Sequence, residues 1–236
     1  MKRFLAAVAV TTALALTACG SSSTNTTTDD KSAESTDDTT YKIGVLQLTQ
    51  HAALDKANEG FIAALDESGI KYEVDQQNAS GEQSACQTIA EKLVNDGNDL
   101  IYAIATPAAQ AVAGVTSEIP IVLSAVTDPA ESGLVASNDA PGGNVTGTSD
   151  LTPVKEQIEL LKQILPDAKT VGILFCSSES NSEIQAAMAR EACEANGLEH
   201  IDFTVSSSNE IQTVVESMVG KVDVIYAPTD NTIAAG

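Results

Sequence analysis

Six short polar stretches carry residue types able to grip a small ligand. They are Gln50-His51, Thr106-Pro107-Ala108-Ala109, Thr127-Asp128, Ser149-Asp150, the serine-rich run holding Asn181-Ser182, and Asp230-Asn231-Thr232. Asp128, Asp150 and Asp230 offer carboxylates that pair with an ammonium group. Thr106-Pro107 reads as a capping residue before a proline in the first helical turn, and free backbone N–H groups there hold a carboxylate. Acceptors at one end and donors at the other suit a zwitterion such as an α-amino acid. An aspartate or serine in such a place is also an ordinary helix cap. The case therefore rests on the six stretches together. Catalytic patterns are missing: there is no GxSxG elbow, no P-loop, and no GxGxxG after a strand. His51 and His200 complete no zinc spacing, so no metal, cofactor or enzymatic step is expected.

The elements that must position these stretches alternate regularly. "KIGVLQL" (42–48), "KYEVDQ" (71–76), "DLIYAIA" (99–105) and "IPIVLS" (119–124) read as strands. Between them lie a helix with Leu54, Ala57, Phe61 and Leu65 on one face, a helix striped by Cys86, Ile89, Ala90, Leu93 and Val94, and a short helix over 106–115. A Gly/Pro/Asn-rich passage, 137–150, follows and is read as a connection between lobes, with a short strand near 144–148. Alternation resumes with a helix from Pro153 capped by Thr152. Strands follow at 169–175, 200–205 and 222–227. Ser180 with Glu183, and Ser207 with Glu210, have the spacing of capping boxes.

Short apolar strands separated by amphipathic helices mean βαβ units and parallel sheets. Two such runs imply two α/β lobes: 41–125, then a connection over 126–150, then 151–236. Ligands bind beyond the carboxyl ends of strands in open sheets of this kind, and all six polar stretches fall there. The same topology separates Cys176 from Cys193. About a dozen helical residues put them roughly 18 Å apart along the axis, so no disulfide between them is expected. Cys86 is read as a core thiol.

The N-terminus has its own pattern. Lys2 and Arg3 precede an apolar stretch over 4–16, then "LTAC". This is the layout of a secretory signal over 1–18, and its ending resembles the bacterial lipobox, in which the cysteine, here Cys19, becomes the lipidated first residue. Residues 20–40 are almost all small or polar and read as a flexible tether. The net charge of −21 argues against nucleic acid or an anionic membrane surface as partner.

"KIGVLQLTQHAALDKANEGFIAAL", "ATPAAQA", "AVTDPAESGLV", "GTSD", "FCSSESNS" and "APTDNT" together resemble the substrate-binding lipoproteins of ABC importers, in the branch associated with tryptophan, tyrosine or related amino acids. The resemblance covers nearly all of 41–236. It implies two Rossmann-like lobes with parallel sheets joined by a hinge, the type I periplasmic-binding-protein fold. It also implies an extracytoplasmic, lipid-anchored protein that closes on a small ligand and delivers it to ABC permease subunits. In the family the segments matching Gln50, His51, Thr106, Ala108, Ala109, Thr127, Asp128, Ser149, Asp150, Asn181, Ser182, Asp230 and Asn231 line the cleft. A sensor feeding a membrane signalling protein is the alternative on the same fold. Ala52 stands where the family often has proline, and Phe175-Cys176 where it often has Tyr-Asn. Only 3% of residues are aromatic; Tyr102, Phe175 and Tyr226 are the candidates for stacking on a ligand, with core packing the favoured role for each. A type I fold returns to its first lobe after the second, so a sequence ending at "TDNTIAAG" is read as C-terminally incomplete.

Overall fold

The computed structural model describes residues 39–236. The expectations for the signal, for Cys19 and for most of the tether lie outside the described residues.

β1 (Thr40–Gln47), β2 (Lys71–Asn78), β3 (Leu100–Ile104), β4 (Ile121–Val126) and β5 (Val145–Ser149) form one parallel sheet in the order β2-β1-β3-β4-β5. α1 (Ala52–Ser68), α2 (Gln83–Asn95) and α3 (Thr106–Ala113) connect its strands. In the interior strand β1, Ile43, Val45 and Leu46 are all buried, because helices cover both faces of a parallel sheet. At the edge, β2 mixes exposed and half-buried residues and buries none fully. α2 buries Cys86, Ala90 and Leu93, as its stripe predicts.

The second sheet is smaller. β6 (Thr170–Cys176) lies between β7 (Glu199–Val205) and β8 (Val224–Tyr226), again in parallel. α4 (Val154–Ile164), α5 (Ser180–Ala195), α6 (Ile211–Met218) and α7 (Asn231–Ala235) complete this lobe. The winding order reverses beside β1 in the first sheet, between β1 and β3, and beside β6 in the second, between β6 and β8. The strand ends beside those reversals are the places where parallel sheets open a crevice.

Several local readings need correction. The passage read as a connection does hold the short strand expected near 144–148, as β5, but that strand pairs with β4 in the first sheet. The first sheet thus extends to Ser149, and the chain leaves for the second lobe after it. Thr152 does not cap α4: the preceding position is Pro153, and the Thr152 hydroxyl donates to Gln185 Oε1 at 3.0 Å. Ser180 is the first residue of α5, and its hydroxyl donates to Gln110 instead of closing a box with Glu183. Glu183 pairs with Arg190. Glu210 reaches back to the N–H and hydroxyl of Ser206, one residue earlier than the spacing predicts. In each case a tertiary partner or a one-residue shift in the helix start captured the group that a local cap would have used.

Cys86, Cys176 and Cys193 are buried free thiols. Cys176 packs with Leu174, Val205 and Met218, whereas Cys193 packs with Val171, Ile173 and Phe175. Alternate residues of β6 face opposite sides of the sheet, so the two thiols occupy opposite faces as well as opposite ends of α5.

Candidate functional site

The carboxyl end of β3 is strained. Ala105 holds a left-handed φ of 83° just before α3, a conformation that disfavours any residue with a Cβ. Ala105, not Thr106, therefore takes the cap position, and Thr106 is the first helical residue. Thr106 is fully buried and its Oγ1 has no hydrogen-bond partner. The first intrahelical bond runs from Ala109 N–H to Ala105 O, at 3.0 Å. The backbone amides of Thr106 and Ala108 lie ahead of it. The Ala108 and Ala109 side chains pack in the first-lobe core.

β4 and β5 end in the next group. Thr127 is buried, and Ser149 Oγ donates to its carbonyl at 2.6 Å. Asp150 Oδ1 is buried without a partner. Burial raises the Asp150 pKa, opposed by a hydrogen bond from Thr127. Asp128 does something else. Its Oδ1 accepts from the N–H groups of Ala130 and Glu131 and from Asn138 Nδ2, at 3.1, 3.1 and 2.9 Å. That oxygen is occupied in shaping its own loop. Gln50 and Ser149 are exposed.

The second lobe brings its residues closer together. Asp230 caps α7 through Oδ1, which accepts from Ile233 N–H at 2.8 Å, while Oδ2 accepts from Cys176 N–H at 2.6 Å. Burial, then the neighbouring Glu179 charge, raises its pKa. This carboxylate too is occupied by backbone donors. Glu179 is buried and accepts from Asn231 Nδ2 at 2.6 Å and from the N–H and hydroxyl of Thr232, both at 2.8 Å. Asn181 donates through Nδ2 to Thr229 O, and its Oδ1 is buried without a partner. Ser182 is fully buried beside it.

Two contributors were not singled out from the sequence. Glu179 sits in a serine-rich loop, where a glutamate reads as solvated. Gln185 is fully buried and did leave a signal: it falls on the same helical stripe as Ala186, Ala189 and Cys193, where a polar residue needs partners.

Among the described residues, four side-chain hydrogen bonds join the lobes. His51 Nε2 and Asn231 Oδ1 are 3.3 Å apart, Ser180 Oγ donates to Gln110 Oε1 at 3.3 Å, Gln185 Nε2 donates to Thr127 Oγ1 at 3.4 Å, and Gln83 Nε2 donates to Ser178 O at 2.5 Å. Beside them opens a cleft of about 500 Å³, within the usual range for small-molecule sites. Ser80, Gln83 and Pro107 line it from the first lobe, and Ser178, Glu179 and Asn231 from the second. From the six polar stretches expected at the site, Pro107, Asn231 and Thr232 line this open space. Thr106, Thr127, Asn181, Ser182 and Asp230 are buried.

The aromatic candidates are engaged in packing. Tyr102 stacks on Phe61 with ring centres 3.9 Å apart. Phe175 is buried beneath Arg190, and the Tyr226 hydroxyl donates to Gln157 Oε1 at 2.9 Å. Among the described residues no acidic, histidine or cysteine cluster has the makings of a metal site, and no helix is long and apolar enough to cross a membrane.

Comparison with known proteins gives this geometry a family. The ABC transporter substrate binding protein family matches residues 42–236. The tyrosine-binding protein of Clostridioides difficile is 46% identical over 197 residues, 82% of this chain and 57% of the relative. The chain thus spans little more than half the length of that relative. An ABC domain from Streptococcus pneumoniae in complex with L-Trp is 44% identical, with a TM-score of 0.80 over 84% of this chain and 68% of that one. A ligand-free, open substrate-binding protein from Clostridium difficile is 43% identical, with a TM-score of 0.58 over 83% of this chain and 68% of that one. With both sheets in the type I periplasmic-binding arrangement, the chain belongs to the ABC transporter substrate binding protein family.

Proposed function

We infer that this chain is the ligand-binding part of an extracytoplasmic receptor that closes on an amino acid, aromatic or related, and presents it to an ABC importer. The observation that carries this reading is a set of buried polar atoms without partners. Five such side-chain atoms occur among the described residues, and three of them are Thr106 Oγ1, Asp150 Oδ1 and Asn181 Oδ1. Buried polar atoms are normally satisfied. Unpartnered ones at the carboxyl ends of three strands are what a site looks like before its ligand supplies the missing bonds. In this reading the Asp150 carboxylate takes the ligand ammonium, and the Thr106 and Ala108 amides at the start of α3 take its carboxylate.

The superpositions support a closed arrangement of the lobes. At nearly equal identity, the chain fits the L-Trp complex better than the ligand-free open protein. The relatives' names, with L-Trp in one and tyrosine in the other, favour amino acids as the ligand class. Function is binding coupled to closure, with no covalent step. The "LTAC" ending at Cys19 supports a lipid anchor to the cell membrane, which would leave the lobes on a polar tether.

A thermal-shift panel of amino acids on a chain starting at Gly20 tests the ligand class. Binding to the folded state alone raises Tm by mass action. At least one aromatic amino acid is expected to shift it. A shift from a sugar or purine with none from any amino acid overturns the assignment. For the anchor, Cys19→Ser is expected to release the protein from membranes into the soluble fraction.

A further inference from the structure

Two carboxamides, one in each lobe, are held in the same manner. Gln110, in α3, donates through Nε2 to Ser132 O at 3.1 Å, inside its own lobe. Its Oε1 faces the second lobe and accepts from Ser180 Oγ at 3.3 Å. Asn231, at the start of α7, donates through Nδ2 to Glu179 Oε2 at 2.6 Å, also inside its own lobe. Its Oδ1 faces the first lobe, 3.3 Å from His51 Nε2.

The oxygen and nitrogen of an amide differ in chemistry, and the hydrogen-bond network decides which way it points. Here both networks give one answer. Turning Gln110 over would set its oxygen against the Ser132 carbonyl. Turning Asn231 over would set its oxygen against the Glu179 carboxylate. Each amide is thus anchored by its NH₂ at home and presents its carbonyl oxygen across the cleft. His51 must then donate through Nε2, which both the Nε2–H tautomer and the imidazolium do. Neither bond passes through a ligand atom, and neither amide has to reorganise when the lobes meet.

We propose that Gln110–Ser180 and Asn231–His51 form a ligand-independent closure latch, which lets the empty lobes populate the closed arrangement and slows ligand release. A ligand that needs the closed state binds with an affinity reduced by the fraction of protein that is closed. Gln110 and Ser180 lie outside the expected ligand contacts, so their bond raises that fraction without help from the ligand. A neutral hydrogen bond of this type shifts the open–closed equilibrium roughly fivefold. The proposal rests on the two-lobed binding reading only for its effect on release, because lobe closure itself is read without ligand.

The test uses Gln110 and Ser180, which lie outside the expected ligand contacts. Dyes are placed on exposed positions in each lobe, through Glu67→Cys and Glu156→Cys, in a chain starting at Gly20. Single-molecule energy transfer without ligand is expected to show a closed population. Ser180→Ala and Gln110→Met should each lower the closed-to-open ratio by roughly fivefold, and the double variant by no more than either alone, because both remove one bond. Ser180→Thr, which keeps a hydroxyl, should restore part of the population. Using two single variants guards against one that folds poorly, which its melting curve reveals. A native chain that is wholly open without ligand overturns the proposal, as does a closed population unchanged in both single variants. A native closed population lost in both variants upholds the latch even if no amino acid binds, so the two readings fail separately.

Discussion

Gln185 Nε2 lies 3.4 Å from Thr127 Oγ1, which joins α5 of the second lobe to the exit of β4 in the first. Gln185 Oε1 also accepts from the Thr152 hydroxyl at 3.0 Å and from Thr229 N–H at 3.4 Å, and Nε2 also donates to Thr229 O at 3.4 Å. One buried amide therefore ties together both lobes and the segment that passes between them. Gln185→Met keeps the volume but leaves those partners unpaired. We expect a loss of about 1–3 kcal/mol, read as a lower denaturant midpoint with an unchanged slope. An unchanged midpoint would show that the amide is dispensable.

Asp150 is predicted to trade stability for binding. Burial raises its pKa above the ordinary 3.8, so the folded state binds this proton more tightly than the unfolded chain does. The stabilising contribution is complete below 3.8 and is lost as pH rises through the raised value. At neutral pH the charged group is therefore a liability to the empty protein. Asp150→Asn should raise Tm at neutral pH, with the gain fading in acid, and should weaken amino-acid binding by about tenfold or more. Melting curves at two pH values and titration calorimetry measure the two effects. A lower Tm at neutral pH would count against this account.

Burial pushes the Cys86 and Cys193 thiols up to about 11. The thiolate is the reactive form, so both should resist alkylation in the native protein. Iodoacetamide at mildly alkaline pH should label them more than about a hundredfold more slowly than in urea. Peptide mass spectrometry follows each site. Fast native labelling at either would mean that the core around it opens readily.

Gly147 marks where β5 packs closest to its neighbour. A Cβ there would lie 2.4 Å from the Leu123 carbonyl oxygen and 2.6 Å from Leu123 N, and backbone cannot step aside as a flexible side chain can. Gly147→Ala should displace β5 from β4 and cost roughly 1–3 kcal/mol. Chemical denaturation measures this. Full native stability in the variant would mean that β5 is loosely held.

The sequence by itself determined the alternation of elements and the edge on which a site must lie. The short apolar run Ile43 to Leu46 reads as a strand covered on both faces, and the period of Cys86, Ala90 and Leu93 as a helix with one buried side. These are local consequences of chain geometry, and they placed Thr106, Asp150 and Asn181 at strand ends. Tertiary structure decided what each polar group does once there. Asp128 and Asp230 meet several backbone donors, while Asp150 keeps its Oδ1 without a partner. Ser180, spaced to cap its own helix, bonds Gln110 in the other lobe instead. Gln185 and Glu179 acquire their partners from segments 33 to 58 residues away in the chain. A hydrogen bond depends on where its partner stands to within a few tenths of an ångström. Sequence spacing fixes that only for neighbours on one element. Between lobes, the packing of the sheets sets the distance.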